Sequence, residues 1–214
     1  MIPYTIIGTG SQGNSVLVHN SILIDAGLPF YKIEPYLENI KLCLLTHGHG
    51  DHFKSSTVRR MSLEKPSLQF GACSWLAKPL IDAGVSKKQI NILVPNMMYG
   101  FGICNVIPVK LIHDVDNVGY KLHFKDGKVF YATDTGTLSH VSAKNYDLYL
   151  CEANYEEAEL RARMDAKLAE GRYAYEQRAV KYHLSKQQCD DWLYKNMGSN
   201  SEYVYLHCHV DRGV

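Results

Sequence analysis

The sequence predicts an α/β protein in which two packed β-sheets form the core and helices flank them. Up to residue 151, short apolar runs typical of strands dominate, with helical stretches between them. After residue 151 the composition changes to a charged, Ala-rich stretch typical of helices. A sheet-on-sheet core covered by helices buries the apolar faces of both kinds of element. At 214 residues, 46% of them hydrophobic, the chain is expected to form one domain spanning 1–214.

Strands are predicted where short apolar runs are bounded by turn residues. A turn at His19-Asn20-Ser21 joins the second and third runs, and Asp126-Gly127 is a strong hairpin signal later in the chain. The predicted strands are 2–7, 16–18, 22–24, 42–45, 90–94, 103–112, 119–124, 129–132, 148–151 and 203–206.

Helices are predicted in the stretches between these runs and in the charged stretch. Gly84 closes the third of them, as glycine often does at the end of a helix. The predicted helices are 29–39, 54–63, 74–83, 152–180 and 186–196.

One heptapeptide, Thr-His-Gly-His-Gly-Asp-His at residues 46–52, dominates the functional interpretation. It directly follows the predicted strand 42–45 and carries four side chains of metal-ligand type: His47, His49, Asp51 and His52. Burying three imidazoles and a carboxylate without a partner would be costly, so a metal site is expected. These ligand types suit zinc, manganese or iron rather than calcium. The glycines at 48 and 50 are expected to form the tight turn that brings alternate side chains to one side.

Further ligand candidates follow other predicted strands, where buried strands meet solvent. They are His113, with Asp114 beside it, Asp134 and His207. Each alone is most simply a polar strand cap, but together with the heptapeptide they indicate a shared site. Seven ligands exceed one tetrahedral zinc and suit two ions ~3.5–4 Å apart, the arrangement that hydrolyses phosphate esters or amides. The predicted sets are His47, His49 and His113 on one ion, Asp51, His52 and His207 on the other, and Asp134 as the bridge.

Composition and charge bear on three further properties: how a polyanionic substrate could be held, membrane insertion and the cellular compartment. The formal net charge is +1, so a polyanionic substrate would have to be held by local positive groups or by metal. Apolar runs fall short of the ~20 residues of a membrane-spanning helix, and the amino terminus lacks the pattern of a signal peptide. The six cysteines are scattered without a C-x-x-C pair, which favours reduced thiols and a cytoplasmic protein. The oligomeric state stays open, a dimer included.

The order of these motifs resembles the metallo-β-lactamase-fold hydrolases, over nearly the whole chain. Their signature is His-x-His-x-Asp-His after a strand, followed later by His, Asp and His. Residues 8–15, 23–27 and 46–52 are similar to the opening of the bacterial WalJ-type exonuclease subfamily, and residues 183–185 resemble a late histidine motif of tRNase Z. The resemblance implies an αββα sandwich of two mixed sheets flanked by helices, and a dinuclear metal centre.

Three positions depart from the subfamily pattern. Tyr155 stands where a histidine often follows Glu-Ala-Asn, and Lys186 replaces a common asparagine. The last block is His207-Cys208-His209 where His-Leu-Ser is usual, so His209 is an alternative to His207 as the last ligand.

The resemblance also implies roles for residues around the metals. Asp51 would orient the attacking water or accept its proton, and His183 would assist the leaving oxygen or steady the phosphate. His183 could instead be a surface histidine at a helix start. Asp25 would tie down the metal loop through backbone N–H groups. Ser11, Gln12 and Asn14 could contact substrate phosphate, and they could equally satisfy a turn.

Three function classes follow. The favoured one is a phosphodiesterase, an exonuclease in which a two-metal-activated water hydrolyses DNA or RNA. The alternative is hydrolysis of a small substrate such as a cyclic nucleotide or a thioester, which the near-neutral charge favours. A binding protein without the chemistry is disfavoured by the complete ligand set. Side chains of the charged stretch that could contact nucleic acid are Arg161, Arg163, Arg172, Arg178, Tyr173 and Tyr175.

Overall fold

Two six-stranded sheets form the centre of the molecule. The computed structural model describes residues 2–170 and 176–208. The first sheet has the order β1-β2-β3-β4-β5-β6, antiparallel from β1 to β3 and parallel from β3 to β6. Its strands are β1 (Tyr4–Gly8), β2 (Ser15–Val18), β3 (Ile22–Ile24), β4 (Leu42–Leu45), β5 (Gln69–Cys73) and β6 (Ile90–Leu93).

The second sheet has the order β12-β11-β10-β9-β8-β7, antiparallel from β7 to β10 and parallel from β10 to β12. Both sheets are therefore mixed, as expected. The strands are β7 (Tyr99–Gly100), β8 (Asn105–Leu111), β9 (Asn117–His123), β10 (Lys128–Ala132), β11 (Leu148–Glu152) and β12 (Glu202–Leu206).

Helices cover the outer faces of both sheets. They are α1 (Phe30–Ile33), α2 (Ser55–Glu64), α3 (Ala77–Asp82), α4 (Glu157–Ala169), α5 (Glu176–Tyr182) and α6 (Lys186–Asn196). Side chains of the first three pack on the first sheet, and α6 packs on the second. A third cluster of buried side chains fills the space between the sheets. In β2, Val16 and Val18 point to that shared core while Leu17 points to the helices, the alternation expected of a strand buried on both faces. The layers are thus helix, sheet, sheet, helix.

Two predicted helices are shorter than expected. The stretch predicted as one helix at 29–39 is α1 followed by a 3₁₀ turn, Glu34–Tyr36, because Pro35 has no N–H to donate to the helical hydrogen-bond series. The stretch 74–83 likewise begins with a 3₁₀ turn, Ser74–Leu76, before α3.

The prediction of one long helix from 152 to 180 was wrong. Residue 152 ends the buried strand β11, and α4 starts only at Glu157 and ends at Ala169. A helix resumes at Glu176 after residues that lie outside the described part of the chain. Strand β5 had no counterpart among the predicted strands, because its sequence Gln-Phe-Gly-Ala-Cys contains no β-branched residue.

The strand ends gather the polar residues at one edge of the sandwich. Strand β4 leads directly into residues 46–52, and β8 ends just before His113. In the parallel trio, Asp134 follows β10, Glu152 ends β11 and His207 follows β12. Neighbouring parallel strands end at the same edge, which brings these three side chains together. Within the described residues, every helix is too short or too polar to cross a membrane.

Candidate metal centre

Residues 46–52, named here the ligand loop, are held in place mainly by backbone contacts. The N–H of Asn14 donates to the carbonyl of Asp51 at 2.6 Å, and the N–H of Ala26 donates to the carbonyl of His52 at 2.9 Å. Gly27 lies so close to the loop that a Cβ at this position would be 1.7 Å from the carbonyl oxygen of Asp51. The loop is therefore clamped against the turns that precede β2 and follow β3.

The two glycines inside the loop do not have the expected role. Neither Gly48 nor Gly50 is among the residues with positive φ. A Cβ at position 50 would meet nothing within 4 Å, and at position 48 the nearest atom is a Leu76 methyl at 3.7 Å. The turn instead closes through N–H groups of His52 and Phe53, which donate to the carbonyl of His49 at 2.9 and 2.8 Å.

Asp25 anchors the start and the end of the ligand loop. Its fully buried carboxylate accepts from the N–H of Thr46 at 2.9 Å and lies 2.7 Å from Nδ1 of His52. Within the described residues one backbone N–H group donates to this carboxylate, where several were expected; the Thr46 hydroxyl at 3.0 Å, the Tyr131 hydroxyl at 3.4 Å and the imidazole are its other partners. Nδ1–H of His52 donates to this carboxylate, so the other ring nitrogen, Nε2, faces the site. Asp25 adopts φ 62°, an unusual conformation for a residue other than glycine.

The first predicted triplet comes together in the structure. Ligand atoms of His47, His49 and His113 lie within 4.8 Å of one another. Nδ1 of His113 lies 3.1 Å from the carbonyl oxygen of Tyr182, an acceptor that fixes the imidazole with Nε2 towards the site.

The second predicted triplet, Asp51, His52 and His207, also comes together within 4.8 Å. Asp134 lies between the two triplets, with Oδ2 2.7 Å from Nε2 of His52 and Oδ1 3.3 Å from Nδ1 of His207. It also forms a group with His47 and His52. This is a position from which a carboxylate can reach two ions. The alternative ligand His209 lies outside the described residues.

Glu152 is a central residue of the site that the sequence analysis did not include. Its buried carboxylate accepts from the N–H groups of Thr135 and Leu184 at 3.0 and 3.2 Å. Its other oxygen lies 2.6 Å from Nδ1 of His183 and 2.9 Å from Nδ1 of His207. One carboxylate thus orients both imidazoles. The signal was present, since Glu152 ends an apolar run just as Asp134 and His207 follow theirs.

We call this second half of the site the strand-end cluster. Its members are Asp134, Glu152, His183 and His207. The ring of His183 lies 5.3 Å from the rings of His113 and His207, and its side chain is 20% exposed. His183 therefore lies beside the ligand atoms and is partly exposed, whereas a simple surface histidine would lie apart from them.

The predicted substrate contacts differ in their surroundings. Asn14 is 1% exposed, and its amide lies 2.8 Å from both the N–H of Gly10 and Nε2 of His52. It therefore supports the ligand loop from within. Ser11 and Gln12 are exposed in the turn that precedes it. Of the predicted nucleic-acid contacts, Arg172, Tyr173 and Tyr175 lie outside the described residues.

The electrostatics of the site favour bound cations. Burial and the neighbouring His52 lower the pKa of His47 to about 2, so this imidazole is a neutral electron-pair donor. Burial opposes protonation of His207, but the carboxylates of Asp134, Asp51 and Glu152 outweigh it and raise its pKa to about 10. A proton on His207 balances the negative charge of these carboxylates. A bound divalent cation would balance the same charge in its place.

Two buried atoms support this fit. Nε2 of His47 and Nε2 of His207 have no hydrogen-bond partner within the described residues. Buried polar nitrogens are rarely left unpaired, and neutral imidazole with carboxylate is a donor set for zinc, manganese or iron. The residues present therefore fit divalent metal ions.

Comparisons with known proteins identify the family and the fold. A family model for the beta-lactamase superfamily domain matches residues 20–189. The exodeoxyribonuclease YycJ of Bacillus anthracis is 25% identical over 172 residues, which are 74% of this chain and 65% of the relative. The match thus spans slightly less than two thirds of that relative.

Two solved structures share the fold. The metallo-beta-lactamase fold protein YhfI of Bacillus subtilis gives a TM-score of 0.73 at 17% identity, over 97% of this chain and 86% of the other. The short form of human tRNase Z gives 0.69 at 15% identity, over 97% and 92%. These likenesses confirm the αββα sandwich that the sequence predicts.

Proposed function

This chain belongs to the beta-lactamase superfamily, and from that premise we propose that it is a metal-dependent phosphodiesterase acting as an exonuclease on DNA or RNA. Members of the superfamily are metal-dependent hydrolases. The relative described as an exodeoxyribonuclease supports the substrate class. The enzyme would act in the cytoplasm, in keeping with six cysteines that are all unpaired.

In this proposal two divalent ions occupy the centre, as zinc, manganese or iron. His47, His49 and His113 would hold one ion, and Asp51, His52 and His207 the other, with Asp134 shared between them. When bound, the ions would supply an activated water and stabilise negative charge on the phosphoryl oxygens.

The placement of His183 is the observation that carries the proposal. Nδ1–H of His183 donates to Glu152 at 2.6 Å, which leaves Nε2, on the far edge of the ring from this contact, for a substrate. Burial opposes protonation of His183, but Glu152 and Asp134 outweigh it and raise its pKa above the ordinary value. A protonated imidazole beside the metal ligands can donate to the leaving oxygen of a phosphodiester.

Asp51 is suited to the attacking side. Its side chain is 26% exposed, and Oδ2 lies 3.6 Å from Nε2 of His52 and 3.7 Å from Nε2 of His207. Burial disfavours the charge on Asp51, but the neighbouring imidazoles of His207 and His52 outweigh it and lower its pKa. An ionised carboxylate in this position can orient a water molecule or accept its proton.

A small substrate is the second candidate, because the net charge of +1 provides no general attraction for a polyanion. A cyclic nucleotide or a thioester could be hydrolysed with the same ligand set. The substrate comparison below separates the two candidates.

The test is a product analysis. Protein loaded with zinc or with manganese is incubated with 5′-phosphorylated single-stranded DNA, with RNA and with cyclic mononucleotides. Asp134→Ala removes the carboxylate shared by both predicted ion sites, and Asp126→Ala, in an exposed hairpin turn, is the matched control. We expect mononucleotides to be released from a polymer by the wild type and Asp126→Ala, and not by Asp134→Ala.

Other outcomes would revise the proposal. Turnover of cyclic nucleotides alone would assign the protein to the small-phosphodiester class. Full activity of Asp134→Ala would contradict a centre in which this carboxylate is shared by two ions.

A further inference from the structure

One arginine lies at the rim of the metal centre with most of its side chain in solvent. Arg178 is on α5, and 71% of its side chain is exposed. Within the described part of the chain its ionic partner is Asp114, which accepts from Nη2 through Oδ2. The guanidinium end of this ion pair is thus accessible to a ligand, although one of its nitrogens is paired.

Asp114 connects the arginine directly to the metal ligands. Its side chain is only 15% exposed, and its second oxygen, Oδ1, is buried. That oxygen lies 3.1 Å from Nε2 of His113 and 3.4 Å from Nε2 of His49. A single carboxylate therefore separates the guanidinium from two imidazoles of the centre.

The end of α5 is fixed against the site by two further contacts. The carbonyl oxygen of Tyr182 accepts from Nδ1 of His113 at 3.1 Å. Gly136, in the loop after β10, packs so closely that a Cβ there would be 2.4 Å from the carbonyl oxygen of Lys181. His113 and Gly136 both contact the last turn of α5. Arg178, one turn earlier on the same helix, therefore has a defined position relative to the centre.

We infer that Arg178 binds a phosphate of the substrate strand next to the phosphate being hydrolysed. This inference rests on the proposed phosphodiesterase function. A guanidinium has five N–H donors, and the bond to Asp114 leaves donors free for a phosphate. Lys181, three residues further along the same helix and exposed, adds a second positive charge on that face.

The inference predicts that the enzyme prefers oligonucleotide substrates to substrates with a single phosphodiester. A chain with a net charge of only +1 needs local groups to hold a polyanion, and Arg178 and Lys181 are such groups on one face of α5 at the rim of the centre. A cyclic mononucleotide or an aryl ester of a mononucleotide has no neighbouring phosphate to contact. Arg178 should therefore act on oligonucleotides and contribute much less to single diesters.

The experiment compares two substrates on the metal-loaded enzyme. One is a 5′-phosphorylated oligonucleotide and the other is thymidine 5′-p-nitrophenyl phosphate, which has a single phosphodiester. Arg178→Ala should lower kcat/KM for the oligonucleotide ~10-fold or more beyond any loss with the single diester, chiefly through KM, as expected for a charge-assisted contact. Arg178→Lys should recover part of the loss.

A matched control comes from α2. Arg60 is 56% exposed and pairs with Glu64, so Arg60→Ala removes an exposed, ion-paired arginine away from the centre. It should leave the ratio of the two kcat/KM values at the wild-type level.

Binding provides a second readout that a structural role would not change. In an Asp134→Ala background, fluorescence anisotropy measures the affinity for a labelled oligonucleotide at several salt concentrations. Loss of one phosphate contact should reduce the slope of log K against log salt by ~0.7.

Two results would overturn the inference: equal loss of kcat/KM on both substrates, or an unchanged salt slope in the double variant. If the wild type hydrolyses neither diester, the proposed function fails, while the salt slope still decides whether Arg178 contacts phosphate.

Discussion

The two halves of the metal centre are held in place by different physical means. The ligand loop is contiguous in sequence, and backbone packing fixes its shape, with Gly27 against the carbonyl of Asp51. The strand-end cluster comes from four separate segments, and side-chain hydrogen bonds to Glu152 join them.

This difference implies different kinds of sensitivity. A steric clash under the ligand loop displaces several ligands at once, because they share one short backbone segment. Loss of a hydrogen bond in the strand-end cluster changes the orientation of individual imidazoles while the strands remain paired. Substitutions in the first half should therefore affect folding and metal content together, and substitutions in the second half should affect mainly metal affinity.

The largest effect is expected for Gly27→Ala. A Cβ 1.7 Å from the carbonyl oxygen of Asp51 cannot be accommodated without moving the backbone of the loop. We expect a loss of more than ~3 kcal/mol in the free energy of unfolding, roughly 6–12 °C in Tm. The metal content measured by atomic emission should fall in the same variant.

Gly50→Ala is the matched control, because it adds the same methyl group inside the loop where no atom lies within 4 Å. Its Tm and metal content should stay close to those of the wild type. A Gly50→Ala variant as damaged as Gly27→Ala would mean that the loop needs its own glycines and that the clamp is not the main constraint.

The ligand loop could be singled out from the sequence because its information is local. Four ligand-type side chains in one heptapeptide after a strand are recognisable without knowing the fold. The reason given for the glycines was nevertheless wrong, since the close approach is at Gly27, on another segment. Sequence spacing describes a turn but not which distant backbone lies against it.

The second half was predicted less completely because it depends on which strands are neighbours. Asp134 and His207 were identified from their positions after apolar runs, but Glu152 was assigned to the start of a long helix. Its importance follows from β11 lying between β10 and β12, a sheet order that the sequence does not state. The strand β5 was missed for a related reason, since burial in the sheet stabilises a segment of low intrinsic strand propensity.

A smaller effect is expected for Glu152→Gln. The amide keeps one carbonyl oxygen, so it cannot accept from His183, His207, Thr135 and Leu184 as both carboxylate oxygens do. Metal affinity, measured by competition with a chelator, should weaken by ~10–100-fold, as is typical for residues that orient ligands. Far-UV circular dichroism should remain that of the wild type.

Glu64→Gln serves as the control for this change, because Glu64 is an exposed partner of Arg60 on α2. It should leave metal affinity unaltered. A wild-type affinity in Glu152→Gln would show that the two imidazoles are oriented by sheet geometry alone, which would remove the contrast between the two halves.

The smallest effect is expected for Ser185→Ala, which tests whether the start of α6 also supports the cluster. Ser185 caps α6, with Oγ accepting from the N–H of Gln188 at 3.0 Å and the Gln188 side chain accepting from the N–H of Ser185. Loss of this capping box should cost ~1 kcal/mol, a fall of roughly 2–4 °C in Tm, relative to the exposed control Ser139→Ala.

Metal affinity should be retained in Ser185→Ala, because Glu152 and not the helix cap holds His183 and His207. A loss of affinity comparable to that of Glu152→Gln would instead assign part of that role to α6, and the strand-end cluster would then depend on a helix as well as on the strands.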